Sequence, residues 1–284
     1  MASITPDPIP PPLCATEVLR RKVSATQRPP ETIDWHGSAM KIVTYSIATI
    51  AMVSLTLPLE ASQKVDPTPR GIPGVWSLDW SDEFSGTQVD LTKWNVAGHA
   101  PGGAINCYDF NQARVSNGSL HLVLEHRTDT CADGAETRPY VSGSVSAKAT
   151  FTSGAFEARI NVPAALNGRV ANFPAFWLVA WPAVGEIDIW EGLNTSGSCW
   201  SVHPQPNDQA PAGCVAPTTG WHTFGAEWVA GQRVDVYYDG RKVGSMPWTG
   251  VNGQYPVLDN AVATWSSIRV PADLQVDYVR HWTK

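Results

Sequence analysis

The stretch GWHTFGAEWVAGQRVDVYYDG, residues 220–240, decides the fold class. Two runs within it, HTFGAEWV and RVDVYYDG, alternate apolar with polar or small residues and are rich in Val, Phe, Tyr and Trp. A period of two sends successive side chains to opposite faces, which is the pattern of a half-buried β-strand. The second run ends on Tyr238-Asp239-Gly240, and Asp-Gly accepts the positive φ of a tight hairpin turn.

Working outward, the same pattern recurs in SGSVSAKATF, GAFEARINV, FPAFWLVAW, GEIDIW, RKVGSM and LQVDYVRHW. Ser116-Asn117-Gly118-Ser119 is a second turn signal. No amphipathic helix of ordinary length and no solenoid-type repeat is visible. Many short strands joined by Gly-rich turns from Val75 onward predict one all-β sandwich or barrel.

Composition sets the limits. Of 284 residues, 16% are charged and 10% aromatic, a globular profile. Tryptophan dominates the aromatic set, with 13 Trp against 7 Tyr and 7 Phe. Its broad apolar face and single N–H suit a sugar ring as well as a core. The net charge of −6 leaves no basic footprint for a nucleic acid. Neither G-x-x-x-x-G-K nor C-x-x-C occurs, and the histidines are scattered, so nucleotide-dependent and zinc chemistry have no support.

The first sixty residues read as separate from the fold. Residues 1–39 are Pro-rich and aperiodic, the expectation being a disordered leader whose translation is itself in question. Met40-Lys41 then opens an uncharged run to Leu59 with a small-residue exit at Ala61, so residues 40–61 have the layout of a secretory signal peptide. A membrane anchor is the rival reading, against which stand the Ser and Thr residues that dilute the run. Residues 62–74 are expected to be a linker and residues 75–284 a single domain. Outside the leader lie Cys107, Cys131, Cys199 and Cys214, which allow three pairings. Cys107 with Cys131 and Cys199 with Cys214 close the shorter loops and are favoured, in keeping with an exported protein.

The chemistry concentrates in GEIDIWEG, residues 185–192. In a regular strand Glu186 and Asp188 share one face, while Ile187 and Ile189 point into the core. Glu191 lies at an odd offset from Glu186 and would face the core with them. Either the strand has ended by then, or an extra residue near Trp190 forms a β-bulge that returns Glu191 to the carboxylate face; a bulge is expected. Three acids on one face work against stability unless they do something. Trp177, Trp181, Trp190 and Trp200 lie close to them in sequence, as a sugar-cleaving cleft requires. Glycoside hydrolysis with retention needs two carboxyl groups flanking the scissile bond, one as nucleophile and one as acid then base.

These residues resemble glycoside hydrolase family 16. GEIDIWEG preceded by FPAFWLVAWPAV is similar to its laminarinase-like signature, and similarity extends to WSLDWSDEFSG, LTKWNV, SGSVSAKATFTSGAFEARINVP, WHTFGAEWVAGQRVDVYYDG and VDYVRHW, covering residues 75–284. The resemblance implies a concanavalin A-like β-jelly roll, a sandwich of two antiparallel sheets with an open groove. It implies endo-acting, retaining cleavage of β-1,3- or mixed-linkage β-glucan. Glu186 matches the nucleophile, Asp188 the assisting acid and Glu191 the acid/base. Trp177, Trp181, Trp200 and His203 are the expected substrate contacts. Glu83, Gly118 and Asp277 match a structural calcium site opposite the cleft, and no cofactor is expected for catalysis. The expected partner is a β-glucan polysaccharide, with no protein partner, for a secreted monomer. The segment NTSGSCWSVHPQPNDQAPAGC departs from the common pattern beside the acid/base, and loops of this kind set linkage preference. A non-catalytic glucan-binding module and a transglycosylase of the same fold are the alternatives. The first does not need three crowded acids; the second shares the covalent intermediate.

Overall fold

The computed structural model describes residues 67–98, 103–132, 136–180, 185–193, 197–204, 212–216, 218–250 and 252–284. The leader, the segment 40–61, residues 62–66 and Trp181 lie outside them. In chain order the strands are β1 (Ser77–Asp82), β2 (Trp94–Val96), β3 (Asn106–Tyr108), β4 (Ala113–Ser116), β5 (Ser119–Thr130), β6 (Thr137–Ser142), β7 (Ser144–Ala147), β8 (Gly154–Val162), β9 (Phe173–Val179), β10 (Glu186–Leu193), β11 (Gly197–His203), β12 (Ala212–Val215), β13 (Gly220–Val229), β14 (Arg233–Tyr238), β15 (Arg241–Pro247), β16 (Tyr255–Ala261) and β17 (Ala272–Thr283). One three-residue 3₁₀ turn, Phe110–Gln112, interrupts them.

They form two sheets. The larger runs β15-β14-β13-β8-β17-β5-β6-β3, with β1 joined to β17 and β4 to β5; the smaller runs β12-β11-β10-β9-β16-β7-β2. Neighbours are antiparallel except β3 and β6. This is the expected jelly-roll sandwich. The stretch at 220–240 supplies β13 and β14, paired from Phe224↔Tyr238 to Val229↔Arg233. Its predicted turn joins β14 to β15, with Asp239 at φ 49° and Gly240 at φ 79°, and Tyr238 pairs directly with Arg241. Both central residues therefore lie in the left-handed region that a two-residue hairpin of this twist requires. Asn117 (φ 51°) and Gly118 (φ 74°) make the same turn between β4 and β5.

Alternation builds the core. Phe156, Ala158 and Ile160 of β8, Phe224, Ala226 and Trp228 of β13, and Val234, Val236 and Tyr238 of β14 face inward from the larger sheet. Phe176, Leu178, Ile187, Ile189, Trp190, Trp200, Val202 and Leu258 meet them from the smaller. Each large side chain taken wholly out of water contributes roughly 1.5–3 kcal/mol before the entropy of ordering it is set against that.

Residues 67–74, the described part of the expected linker, lie packed on the outer face of the larger sheet. The Pro67 carbonyl accepts from Trp282 Nε1, the Arg70 amide donates to Glu157 at 2.7 Å, and Ile72 is buried with Ala155, Tyr237 and Trp282. The ordered domain thus starts before Val75, because an apolar residue and a backbone donor find partners there. The favoured cysteine pairing is present: Cys107 is bonded to Cys131 and Cys199 to Cys214.

Candidate active site

The floor of the site is the outer face of the smaller sheet, where β10 runs between β11 and the central β9. Glu186 pairs with Val179 on β9 and His203 on β11; Asp188 pairs with Trp177 and Ser201. Beyond Asp188 the register slips. On the β9 side Trp190 pairs with Phe176, leaving Ile189 unpaired, and on the β11 side the next pair is Glu191 with Cys199. This is the expected bulge, formed by Ile189 and Trp190 opposite Trp200. Two consecutive side chains turn inward, and Glu191 returns to the face of Glu186 and Asp188.

The sequence favours this irregularity because both bulge residues are large and apolar. Ile189 and Trp190 are fully buried. Trp190 stacks on Phe224 of the opposite sheet with centroids 4.6 Å apart, and its Nε1 donates to Ser198 Oγ at 3.1 Å. A bulge also frees backbone groups from the ladder, and buried ones need partners. Tyr238 reaches across from β14 to provide one: its hydroxyl lies 3.1 Å from the Ile189 carbonyl and 2.8 Å from that of Cys199, donating to this pair. Sequence reading placed Tyr238 only in the hairpin; nothing in one chain's pattern points to a contact 49 residues away.

The acids are joined by polar side chains of β11. Ser201 Oγ donates to Asp188 Oδ2 at 2.6 Å and lies 3.4 Å from Glu191 Oε2. His203 Nε2 stands 3.3 Å from Asp188 Oδ2 and 3.4 Å from Ser201 Oγ. Glu186, Asp188 and His203 bring one ligand-type atom each within 4.8 Å of one another. Among the described strand residues of this face on β9, β10, β11 and β16 there is no Lys or Arg.

Crowding and burial set the protonation. Desolvation, then the proximity of Asp188, pushes Glu186 up to about 8, with His203 acting the other way. Desolvation, then Asp188 and Glu186, holds Glu191 well above the ordinary carboxyl range. Carboxyl groups with so few cations near them share protons as a set, so burial and mutual repulsion favour protonated forms of both Glu186 and Glu191.

The other expected contacts divide. Trp177 is half-buried on this face, in register with Asp188, and its Nε1 donates to Asp259 Oδ2 at 2.9 Å. His203 faces Glu186 across the β10–β11 ladder, at the Glu186 end of the acid row and away from Glu191. Trp200 is a correction. Its neighbour Cys199 occupies the groove side opposite Glu191, so alternation turns Trp200 inward, where it is buried edge-on to Tyr238 with centroids 5.7 Å apart. It packs the core and does not line the groove. Two features were missed. Asp259, one strand beyond β9, adds a fourth carboxylate to this face. Trp265, half-exposed, packs edge-to-face at 4.8 Å on Phe173, which shares the groove side of β9 with Trp177. An exposed Trp in the loop VATWSS was the available signal.

The expected calcium donors do not fit a cation as they are arranged. Both oxygens of Glu83 accept from Arg280, at 2.8 and 2.6 Å, and Asp277 Oδ2 accepts from Arg159 at 2.7 Å. Gly118 occupies its tight turn. Calcium asks for six to eight free oxygen ligands, and here two guanidinium groups already neutralise the acids.

Comparison with known proteins agrees with this geometry. The family model described as glycosyl hydrolases family 16 matches residues 104–273. A glucan endo-1,3-beta-glucosidase of Cryptopygus antarcticus is 30% identical over 179 residues, covering 55% of this chain and 64% of that enzyme, so the match spans less than two thirds of the relative's length. A kappa-carrageenase of Pseudoalteromonas carrageenovora is 27% identical over 308 aligned residues, 86% of this chain and 74% of its own. The structure of an endo-beta-1,3-glucanase from Pyrococcus furiosus superposes with a TM-score of 0.63 at 26% identity, covering 73% of this chain and 94% of that one. With three carboxylates aligned by a bulge on one jelly-roll face and a family model spanning most of the domain, the chain belongs to glycosyl hydrolase family 16.

Proposed function

We propose that the protein is an endo-acting, retaining β-glycosidase that cleaves β-1,3- or mixed-linkage β-1,3/1,4-glucan. The observation that carries this reading is the bulge at Ile189–Trp190, which returns Glu191 to the face of Glu186 and Asp188. Without it the acid/base would point into the core.

In the first step Glu186 attacks the anomeric carbon while Glu191 gives its proton to the glycosidic oxygen. The C–O bond breaks and a glycosyl ester forms on Glu186. In the second step water attacks the same carbon, Glu191 takes the water's proton, and the ester bond breaks to restore the Glu186 carboxylate. Two inversions retain the β configuration. Ser201 and His203 hold Asp188 between the two glutamates, where it orients the nucleophile. Trp177 forms an apolar wall for the sugar beside the reacting carbon.

The similarity to a carrageenase raises the question of a sulfated galactan. An anionic floor without Lys or Arg on its described strands repels sulfate esters, which favours a neutral glucan. We further infer export, a reading supported by the two disulfides, which persist in oxidising surroundings.

Glu186→Gln tests the mechanism. Release of reducing sugar from laminarin should fall below detection while binding of laminari-oligosaccharides persists. Turnover within tenfold of wild type would rule out Glu186 as nucleophile. A parallel panel of laminarin, lichenan, agarose, xyloglucan and kappa-carrageenan, read by product size with and without added acceptor sugar, separates the linkages and separates hydrolysis from transfer.

A further inference from the structure

We propose that Asp259 is a positioning residue of the groove, which anchors the indole of Trp177 as a sugar-facing wall and keeps a negative charge behind the acid/base Glu191. The proposal rests on the glycosidase reading above and adds to it a residue outside the E-x-D-x-x-E motif.

The placement is fixed by register. Asp259 on β16 pairs with Ala175 on β9, and Ala175 pairs with Glu191 on β10, so the three share one rung on the groove side. Two strand spacings separate Asp259 from Glu191, about 9.5 Å between Cα atoms. The residue between them is an alanine, whose methyl group screens little. Asp259 Oδ2 accepts from Trp177 Nε1 at 2.9 Å, and Oδ1 accepts from the Ala261 amide at 3.3 Å. The side chain is 2% exposed, so it acts on substrate through the indole and through its field, without touching sugar.

A buried acceptor for an indole does not have to be charged; an amide oxygen would serve. A carboxylate in that position is therefore the informative choice, because taking a charge out of water is costly. The groups facing it give it little relief. Tyr108 on β3 turns its phenol toward it and acts to lower it, though less than Trp177 and the Ala261 amide, and Arg138 on β6 acts on Tyr108. From β10 come Asp188, Glu186 and Glu191, and from β11 His203, which opposes the acids. Burial raises Asp259 to about 6, against hydrogen bonds from Trp177 and Ala261 that lower it. It is thus charged above that pH, and its charge adds to the forces that keep Glu191 and Glu186 protonated.

The two roles separate by substitution in the full chain. Asp259→Asn keeps an acceptor for Trp177 and removes the charge. The Michaelis constant for laminarin should stay within about twofold of wild type, while the basic limb of the kcat/KM–pH profile moves down by about one pH unit. Asp259→Ala loses both, and should show the same displacement together with a KM raised about tenfold. A D259N profile that superposes on wild type, or a D259A variant with native near-ultraviolet circular dichroism and unchanged KM, would overturn the proposal. If D259A fails to fold, D259N still decides. A readout without turnover accompanies these: the Trp177 indole N–H resonance, assigned by its loss in Trp177→Phe, should titrate with a midpoint near 6 in wild type and not in D259N. Wild-type protein inactive on every glucan but with a titrating indole would sink the glycosidase reading and leave the Asp259 contact standing. An active enzyme with a pH-independent indole would do the reverse.

Discussion

The outer faces of the two sheets both carry acidic residues, and they treat them in opposite ways. On the larger sheet nearly every described acid has a cation or a proton donor assigned to it. Asp235 meets Arg233 and Lys242, Glu227 meets Lys284, Asp277 meets Arg159, and Glu157 accepts from Tyr278 and the Arg70 amide. On the smaller sheet Glu186, Asp188, Glu191 and Asp259 have one another, Ser201, Trp177 and a histidine. Burial is not the difference, since Asp235 and Asp188 are each 3% exposed. The difference lies in what compensates it. Pairing holds Asp235 below the usual carboxylate range, whereas burial and repulsion raise Glu186, Glu191 and Asp259, at a cost in stability, and a carboxyl group that keeps its proton is what an acid catalyst needs.

The comparison is broken most forcefully at Glu191. Glu191→Gln keeps the shape of the side chain and removes its proton transfer, so kcat on laminarin should fall about 10³-fold, within the range found for general acid catalysis. The same change should stabilise the protein. A carboxyl group held above its ordinary range binds more protons folded than unfolded, so native stability declines as pH rises from about 4.5 toward the folded value. The glutamine variant escapes that decline. Its melting temperature should match wild type near pH 4.5 and exceed it by roughly 2–4 °C at pH 8, the equivalent of about 1 kcal/mol in a domain this size. A variant less stable than wild type at pH 8 would mean that the carboxylates on this face are compensated after all.

Tyr238 tests how firmly the large sheet holds the small one in register. Tyr238→Phe removes one hydroxyl and leaves two buried carbonyls, those of Ile189 and Cys199, short of their donor. The expected loss is about 1–3 kcal/mol of stability by denaturant unfolding. Because the lost contact lies at the bulge that aims Glu191, kcat should also drop, by about tenfold, with KM little changed. Unchanged kcat with lost stability would make the phenol a packing residue only.

Much of this was legible in the chain because the relevant signals are local. Alternation in β8, β13 and β14, the Asp239-Gly240 turn, and the odd spacing of Glu191 from Glu186 are all read within a few residues. The bulge was inferable since only an extra residue reconciles that spacing with three acids on one face. What failed or was missed depends on parity or on distance. Trp200 was assigned to the groove by nearness in sequence, yet it sits between Cys199 and Ser201, both on the groove side of β11, so simple alternation sends it inward. Asp259 lies 68 positions from Glu191 in the chain and reaches the site only through strand order, β16 beside β9 beside β10. The linker reading missed Ile72, a single apolar residue in polar surroundings, whose partners come from β8, β14 and β17.

The mildest test returns to the paired acids. Asp235 lies on the outer face of β14, with Oδ2 at 3.1 Å from Arg233 Nε and 2.8 Å from Lys242 Nζ, and Oδ1 accepting from Ser245 at 2.6 Å. Burial opposes its ionisation, but hydrogen bonds from Lys242, Ser245 and Arg233 prevail and hold it below the usual carboxylate range. Asp235→Asn should leave activity on laminarin unchanged, because this strand lies in the other sheet from the groove. Both cations are half-exposed and return to water, so the loss at pH 7 should be modest, about 1 kcal/mol. Its sign with pH is opposite to that of Glu191. A carboxyl group lowered on folding contributes stability that is complete above its unfolded value near 3.8 and disappears as pH falls through the folded one. Wild type and D235N should therefore converge as pH falls below the unfolded value near 3.8, whereas wild type and E191Q diverge as pH rises; a D235N deficit that does not shrink with acidification would show that the outer acid acts through packing and not through its charge.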